Sequence, residues 1–204
     1  MARALAGPVR PLSLSSLGAV YRQMDAIELV SLIIRTVQGF LSLIGVLAMV
    51  LFLSVGSAAV WQAWIYLSVF SACSTLIAAY LVAYDRKLLA GRVRGGPLAE
   101  MQGSQKIIHA FACLIFIGLF IVSGMGHSQG WPLVEPSLTL IADLMVVIGF
   151  SNVSLVFREN SYSRATIDVS SGQNIIRTGP YSAVRYPMYG GSFVLLVFTP
   201  ITLG

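Results

Sequence analysis

Four apolar runs set the terms on which this chain can fold: about Val37–Ser57, Gln62–Val82, Ile107–Gly126 and Ser137–Phe157. Each meets the roughly 20 mostly apolar residues that an α-helix needs to cross the hydrocarbon core of a bilayer. Water is absent there, so a spanning segment must satisfy its own backbone N–H and C=O groups, which a helix does. Charged residues make up 10% of the chain, against about 25% in soluble domains, too few to cover a water-facing surface. The expected fold class is therefore all-α, a polytopic membrane bundle with four complete transmembrane helices and an incomplete fifth.

The fifth run covers residues 190–204 and contains Pro200. From Tyr189 to Gly204 a helix would reach about 24 Å at 1.5 Å per residue, short of a core about 30 Å thick. The expectation is that the chain is C-terminally truncated and that the natural sequence continues past Gly204.

All 13 lysines and arginines fall in alternate connections. Arg3, Arg10, Arg22 and Arg35 precede the first run. Arg86, Lys87, Arg92, Arg94 and Lys106 lie between the second and third, and Arg158, Arg164, Arg177 and Arg185 between the fourth and fifth. The connections near Ala58–Trp61 and His127–Pro136 hold none. By the positive-inside rule the N-terminus is cytoplasmic, and so is the loop after the fourth run. The net charge of +5 thus speaks to orientation in a lipid bilayer, and no nucleic-acid partner is implied. Residues 1–36 read as an N-terminal cytoplasmic extension and 37–204 as the membrane domain. Met1–Met24 suits a transit-like or disordered extension, or precedes a true start at Met24; both readings stand open. The connection Asp85–Lys106, broken at Gly95-Gly96-Pro97, reads as a solvated or headgroup-contacting loop.

Polar chemistry concentrates in the loop 158–189. Within it, Gln173–Gly191 carries Gly179-Pro180 as a turn signal, Arg185, and the tyrosines Tyr181, Tyr186 and Tyr189. Pro187 suits the first turn of the helix that re-enters the membrane. Taken alone, this composition also fits a plain interfacial anchor, since Tyr and Arg are enriched where helices leave lipid.

Gln173, Ile176, Gly179, Tyr181, Arg185, Pro187, Tyr189 and Gly191 fall in register on a longer pattern. In them the loop resembles the isoprenylcysteine carboxyl methyltransferase family and its relatives among membrane phospholipid methyltransferases. Asn160-x-Tyr-Ser and Ile167-Asp-Val169 resemble the approach to that pattern in bacterial-type members. The resemblance implies a membrane enzyme that moves a methyl group from S-adenosylmethionine to a lipid-bearing acceptor, such as the carboxylate of a prenylated cysteine, at the cytoplasmic interface. It assigns Gln173, Asn174, Ile175, Ile176, Tyr181, Tyr186, Pro187, Met188 and Tyr189 to cofactor binding and Arg185 to catalysis, pairing with a carboxylate. Aromatic faces suit a sulfonium through cation–π attraction of about 0.5–2 kcal/mol. No metal is implied. The chain departs from the pattern at Tyr186, where the family carries a histidine; a phenol is no near-neutral acid or base. The family's C-terminal paired glutamates would lie beyond Gly204.

Other polar residues carry less. Gly124-Met-Gly126-His-Ser-Gln-Gly130 has glycines at nucleotide-loop spacing but follows a membrane run instead of a strand. Asp143 is an acid inside the fourth run, read as a structural hydrogen-bond partner over a proton or substrate pathway. Asn152 reads as a tie between helices. His109 and His127 stand at opposite ends of the third run and cannot share a site. Cys73 and Cys113 lie in separate runs and read as buried thiols packing as small hydrophobes. Competing expectations are phospholipid N-methylation, a sterol-reductase-like enzyme, and, outside enzymes, a non-catalytic membrane subunit or small transporter. Oligomeric state is not legible.

Overall fold

A computed structural model describes residues 14–93, 103–132, 134–160, 178–182 and 184–204; within the helices, the side chains of 14–24, 103–105, 108 and 109 are not described. Among the described residues six α-helices follow in order: α1 (Leu14–Val55), α2 (Trp61–Tyr84), α3 (Arg86–Val93), α4 (Gly103–Ser128), α5 (Pro136–Glu159) and α6 (Pro187–Leu203). A 3₁₀ turn, Gly179–Ser182, precedes α6. No strand occurs among the described residues.

Among the described residues four segments are long and apolar enough to cross a membrane: Asp25–Val55, Trp61–Tyr84, Ala110–Ser128 and Pro136–Glu159. The all-α polytopic class is therefore what the chain adopts. Leu53, Leu76 and Leu114 are 76%, 70% and 65% exposed on the outside of the bundle, an arrangement that suits hydrocarbon as the surrounding solvent. Cys113 is likewise exposed and Cys73 half-buried, so neither thiol is buried as expected.

The first helix departs most from expectation. It runs unbroken through residue 37, where the extension was expected to end, and its membrane-compatible part starts at Asp25. Nothing between Ala19 and Gln38 is a glycine or proline that would stop a helix. At 42 residues α1 extends about 63 Å, twice the thickness of a bilayer core.

Close backbone approach builds the bundle. A Cβ added to Gly149 of α5 would stand 3.1 Å from the Gly191 carbonyl oxygen, and one added to Gly191 would stand 3.0 Å from that of Gly149. The two glycines let α5 and α6 cross almost in backbone contact, as small residues do in membranes. Gly124 does the same for α4 against α1, where an added Cβ would meet Ser54 Cβ at 2.5 Å. Gly126 packs beneath Trp131, so the glycine-rich stretch there serves packing.

Two apolar clusters result. One joins Leu47, Leu51, Tyr66, Leu67, Phe120, Val146 and Leu203. The other, Leu81, Leu88, Leu89 and Phe157, holds α3 against the bundle on the side of the polar loop. Asp85 sets that placement. Its backbone N–H donates to Leu81 O as α2 ends, and its Oδ1 accepts from the Leu88 N–H at 2.9 Å as α3 begins.

Candidate functional site

The described part of the site is assembled at the junction of α5, the 3₁₀ turn, α3 and the start of α6. Gly179 adopts φ +57°, and a Cβ there would stand 2.7 Å from Glu159 Cγ. Only glycine meets both conditions without strain. The turn is pinned to the end of α5 twice: Thr178 Oγ1 donates to Glu159 Oε2 at 2.9 Å, and Asn160 Nδ2 donates to the Tyr181 hydroxyl at 2.8 Å. Tyr181 is therefore half-buried and held against α5.

Arg185, Tyr186 and Tyr189 form a separate exposed group. The Arg185 guanidinium lies 5.5 Å from the centre of the Tyr186 ring. The Tyr186 and Tyr189 rings stand 5.9 Å apart at 48°, and Tyr189 is 72% exposed. The ring expected to receive a sulfonium at Tyr186 thus already faces one cation. Pro187 is buried at the first turn of α6.

Met188 turns inward. Its sulfur lies 3.6 Å from Arg92 Nη2, and the Arg92 guanidinium sits 4.3 Å over the Phe157 ring. Burial pushes Arg92 down to about 10, so it remains charged at neutral pH. The connection Asp85–Lys106 was expected to be a solvated or headgroup-contacting loop; its first part is the helix α3, which folds Arg92 against Met188 and Phe157. No spacing rule in the sequence marks Arg92, because its position depends on how α3 folds back at Asp85. Glu159 escaped notice for the same reason, its partner lying 19 residues further along the chain.

Of the residues assigned to the site, Gln173, Asn174, Ile175 and Ile176 lie outside the described residues. The structure brings Arg185, Tyr186 and Tyr189 together, sets Tyr181 on α5, and gives Pro187 and Met188 packing positions. Asn152 lies beside the Gly149–Gly191 crossing, its Oδ1 buried without a hydrogen bond.

Asp143 also differs from expectation. It is 5% exposed, and neither carboxylate oxygen has a hydrogen-bond partner among the described residues. On the same face one turn away, Thr139 Oγ1 is buried and likewise unpartnered. The hydroxyls of Tyr66 and Thr199 bond to each other at 3.0 Å. His127, at the end of α4, bonds the Leu203 carbonyl of α6. Its role in the fold is to tie two helix ends. Comparison with protein families, curated proteins and solved structures returned no match to this chain.

Proposed function

We propose that this protein is a membrane-embedded methyltransferase using S-adenosylmethionine and acting on a lipid-bearing acceptor at the cytoplasmic interface. The observation that carries the reading is the Arg185–Tyr186–Tyr189 group: an exposed guanidinium beside the Tyr186 ring, with the exposed Tyr189 ring next to Tyr186, at the start of the apolar helix α6. That set fits the cofactor, because a guanidinium pairs with an amino-acid carboxylate and an open ring face attracts a sulfonium. Arg185 would hold the carboxylate and Tyr189 would face the sulfonium, with Tyr181 shaping the wall against α5.

The bound cofactor supplies an electrophilic methyl group. The chain's own part is to position and to exclude water, since a carboxylate acceptor needs no general base. Tyr186 in place of histidine is compatible with such a reaction. Gly179 and the Glu159–Thr178 and Asn160–Tyr181 bonds keep the turn in place while α6 enters the membrane.

Isothermal titration of the purified chain with S-adenosylmethionine tests this. Binding is expected, and Arg185→Ala should weaken it by about tenfold, the loss of one charge-assisted contact. Tyr189→Ala should weaken it less, by roughly threefold. Absence of binding by the parent protein rejects the reading. A parallel acceptor screen with a prenylated cysteine and phosphatidylethanolamine distinguishes carboxylate from amine methylation.

A further inference from the structure

A second polar feature lies between α1 and α3. The groove there has a volume of about 350 Å³, within the usual range for a bound small molecule. Asp25, Glu28 and Arg35 line it from α1; Arg86 and Lys87 line it from α3. Leu29, Leu32, Ala90 and Val93 supply apolar wall between them.

The distribution of charge in the groove has a direction. Asp25 and Glu28 stand toward the N-terminal end of α1, while Arg35 is about 10 Å further along the helix than Glu28. Arg86 and Lys87 open α3 on the opposite wall. Among the described residues no ion pair joins the two sets across the groove. An anion alone would also meet two carboxylates, and a cation alone would also meet three positive side chains. A zwitterion satisfies both.

The surroundings identify the kind of zwitterion. On the outer face of the same stretch of α1, Ile27, Val30, Ile33 and Ile34 are 62%, 55%, 39% and 50% exposed. The helix therefore turns its charges toward the groove and its apolar side chains outward, the reverse of a helix in water. A polar niche whose rim is apolar is entered from lipid. None of the described residues lining it is aromatic. Carboxylates accept N–H bonds and so favour a primary ammonium.

We infer that the α1–α3 groove binds a zwitterionic membrane phospholipid of the ethanolamine type. Its phosphate meets Arg35, Arg86 and Lys87, and its ammonium meets Glu28 and Asp25. Arg86 Nε donates to the Val82 carbonyl at 3.1 Å, leaving its two Nη groups to face the phosphate. The inference stands apart from methyl transfer, since Arg92 on α3 faces Phe157 and Met188 while Ala90 and Val93 face the groove.

The test is lipid binding to the delipidated, detergent-solubilised chain, measured by native mass spectrometry. Phosphatidylethanolamine is expected to bind about tenfold more tightly than phosphatidylglycerol or phosphatidylcholine, and than free glycerophosphoethanolamine. Asp25→Asn with Glu28→Gln should remove the preference over phosphatidylglycerol. Lys87→Gln with Arg35→Gln should weaken both lipids by about tenfold. Every substituted residue is exposed, and an unchanged melting temperature in lipid-free detergent verifies folding; Lys87→Gln alone, expected to weaken binding by roughly threefold, provides a milder variant. Equal binding of phosphatidylglycerol, equal binding of the free headgroup, or parent-like binding by both double variants overturns the inference. Displacement of the lipid by excess S-adenosylmethionine overturns it too, by assigning the groove to that cofactor.

Discussion

At Asp143 both carboxylate oxygens are buried and neither accepts a hydrogen bond from a described residue. An acid held this way inside a membrane helix is unfavourable by a few kcal/mol even where local relaxation helps. Asp143→Asn keeps the shape and removes the ionisable group. It is expected to raise the melting temperature in detergent by about 2–4 °C, the shift produced by roughly 1 kcal/mol at this chain length. A fall of that size would mean that Asp143 is held by a bound ion or donor. The acid itself was plain in the sequence as a lone charge in an apolar run. Its lack of a partner was not, because that depends on the face α5 turns toward α2 and α6. Arg92 was similarly just one cation in a basic connection until α3 folded it onto Phe157.

The pairing of α5 with α6 rests on two glycines that sequence alone could not single out. Gly190 and Gly191 are neighbours, yet a Cβ on Gly190 meets nothing within 4 Å whereas one on Gly191 meets the Gly149 carbonyl. Gly191→Val is expected to destabilise the bundle by about 1–3 kcal/mol through forced separation of the helices. Gly190→Val should change stability by about 0.5 kcal/mol or less, being an outward substitution. Thermal unfolding of the two variants side by side checks the crossing; equal losses would place the contact elsewhere. The Gly, Tyr, Arg and Pro register is what set Gln173–Gly191 apart in the sequence. That Gly179–Ser182 is fastened to α5 apart from the exposed Arg185–Tyr186–Tyr189 group was not legible there, since Glu159 and Asn160 act through tertiary contacts.

Across the whole molecule, the membrane runs were legible because twenty apolar residues in a row have few other destinations. The first run was read from Val37, whereas the membrane-compatible part of α1 starts at Asp25, because Asp25, Glu28 and Arg35 share the side of the helix that lines the α1–α3 groove. Orientation gives a further expectation. With Cys73 and Cys113 replaced by alanine, a cysteine placed at Ala58 should react with an impermeant maleimide added outside intact cells. One placed at Thr178 should react only after permeabilisation. The opposite pattern would put Arg185 outside and remove it from any cytoplasmic cofactor. Asp85 carries a consequence for how chains of this kind can vary in length. One residue closes α2 and opens α3, so no slack separates the two helices. Inserting or deleting a single residue there would turn α3 by about 100° about its axis. Arg92 would leave Phe157, and Arg86 and Lys87 would leave the groove in the same step. Substitutions along α3 can be absorbed singly, whereas a change of spacing at this joint dismantles both polar features at once.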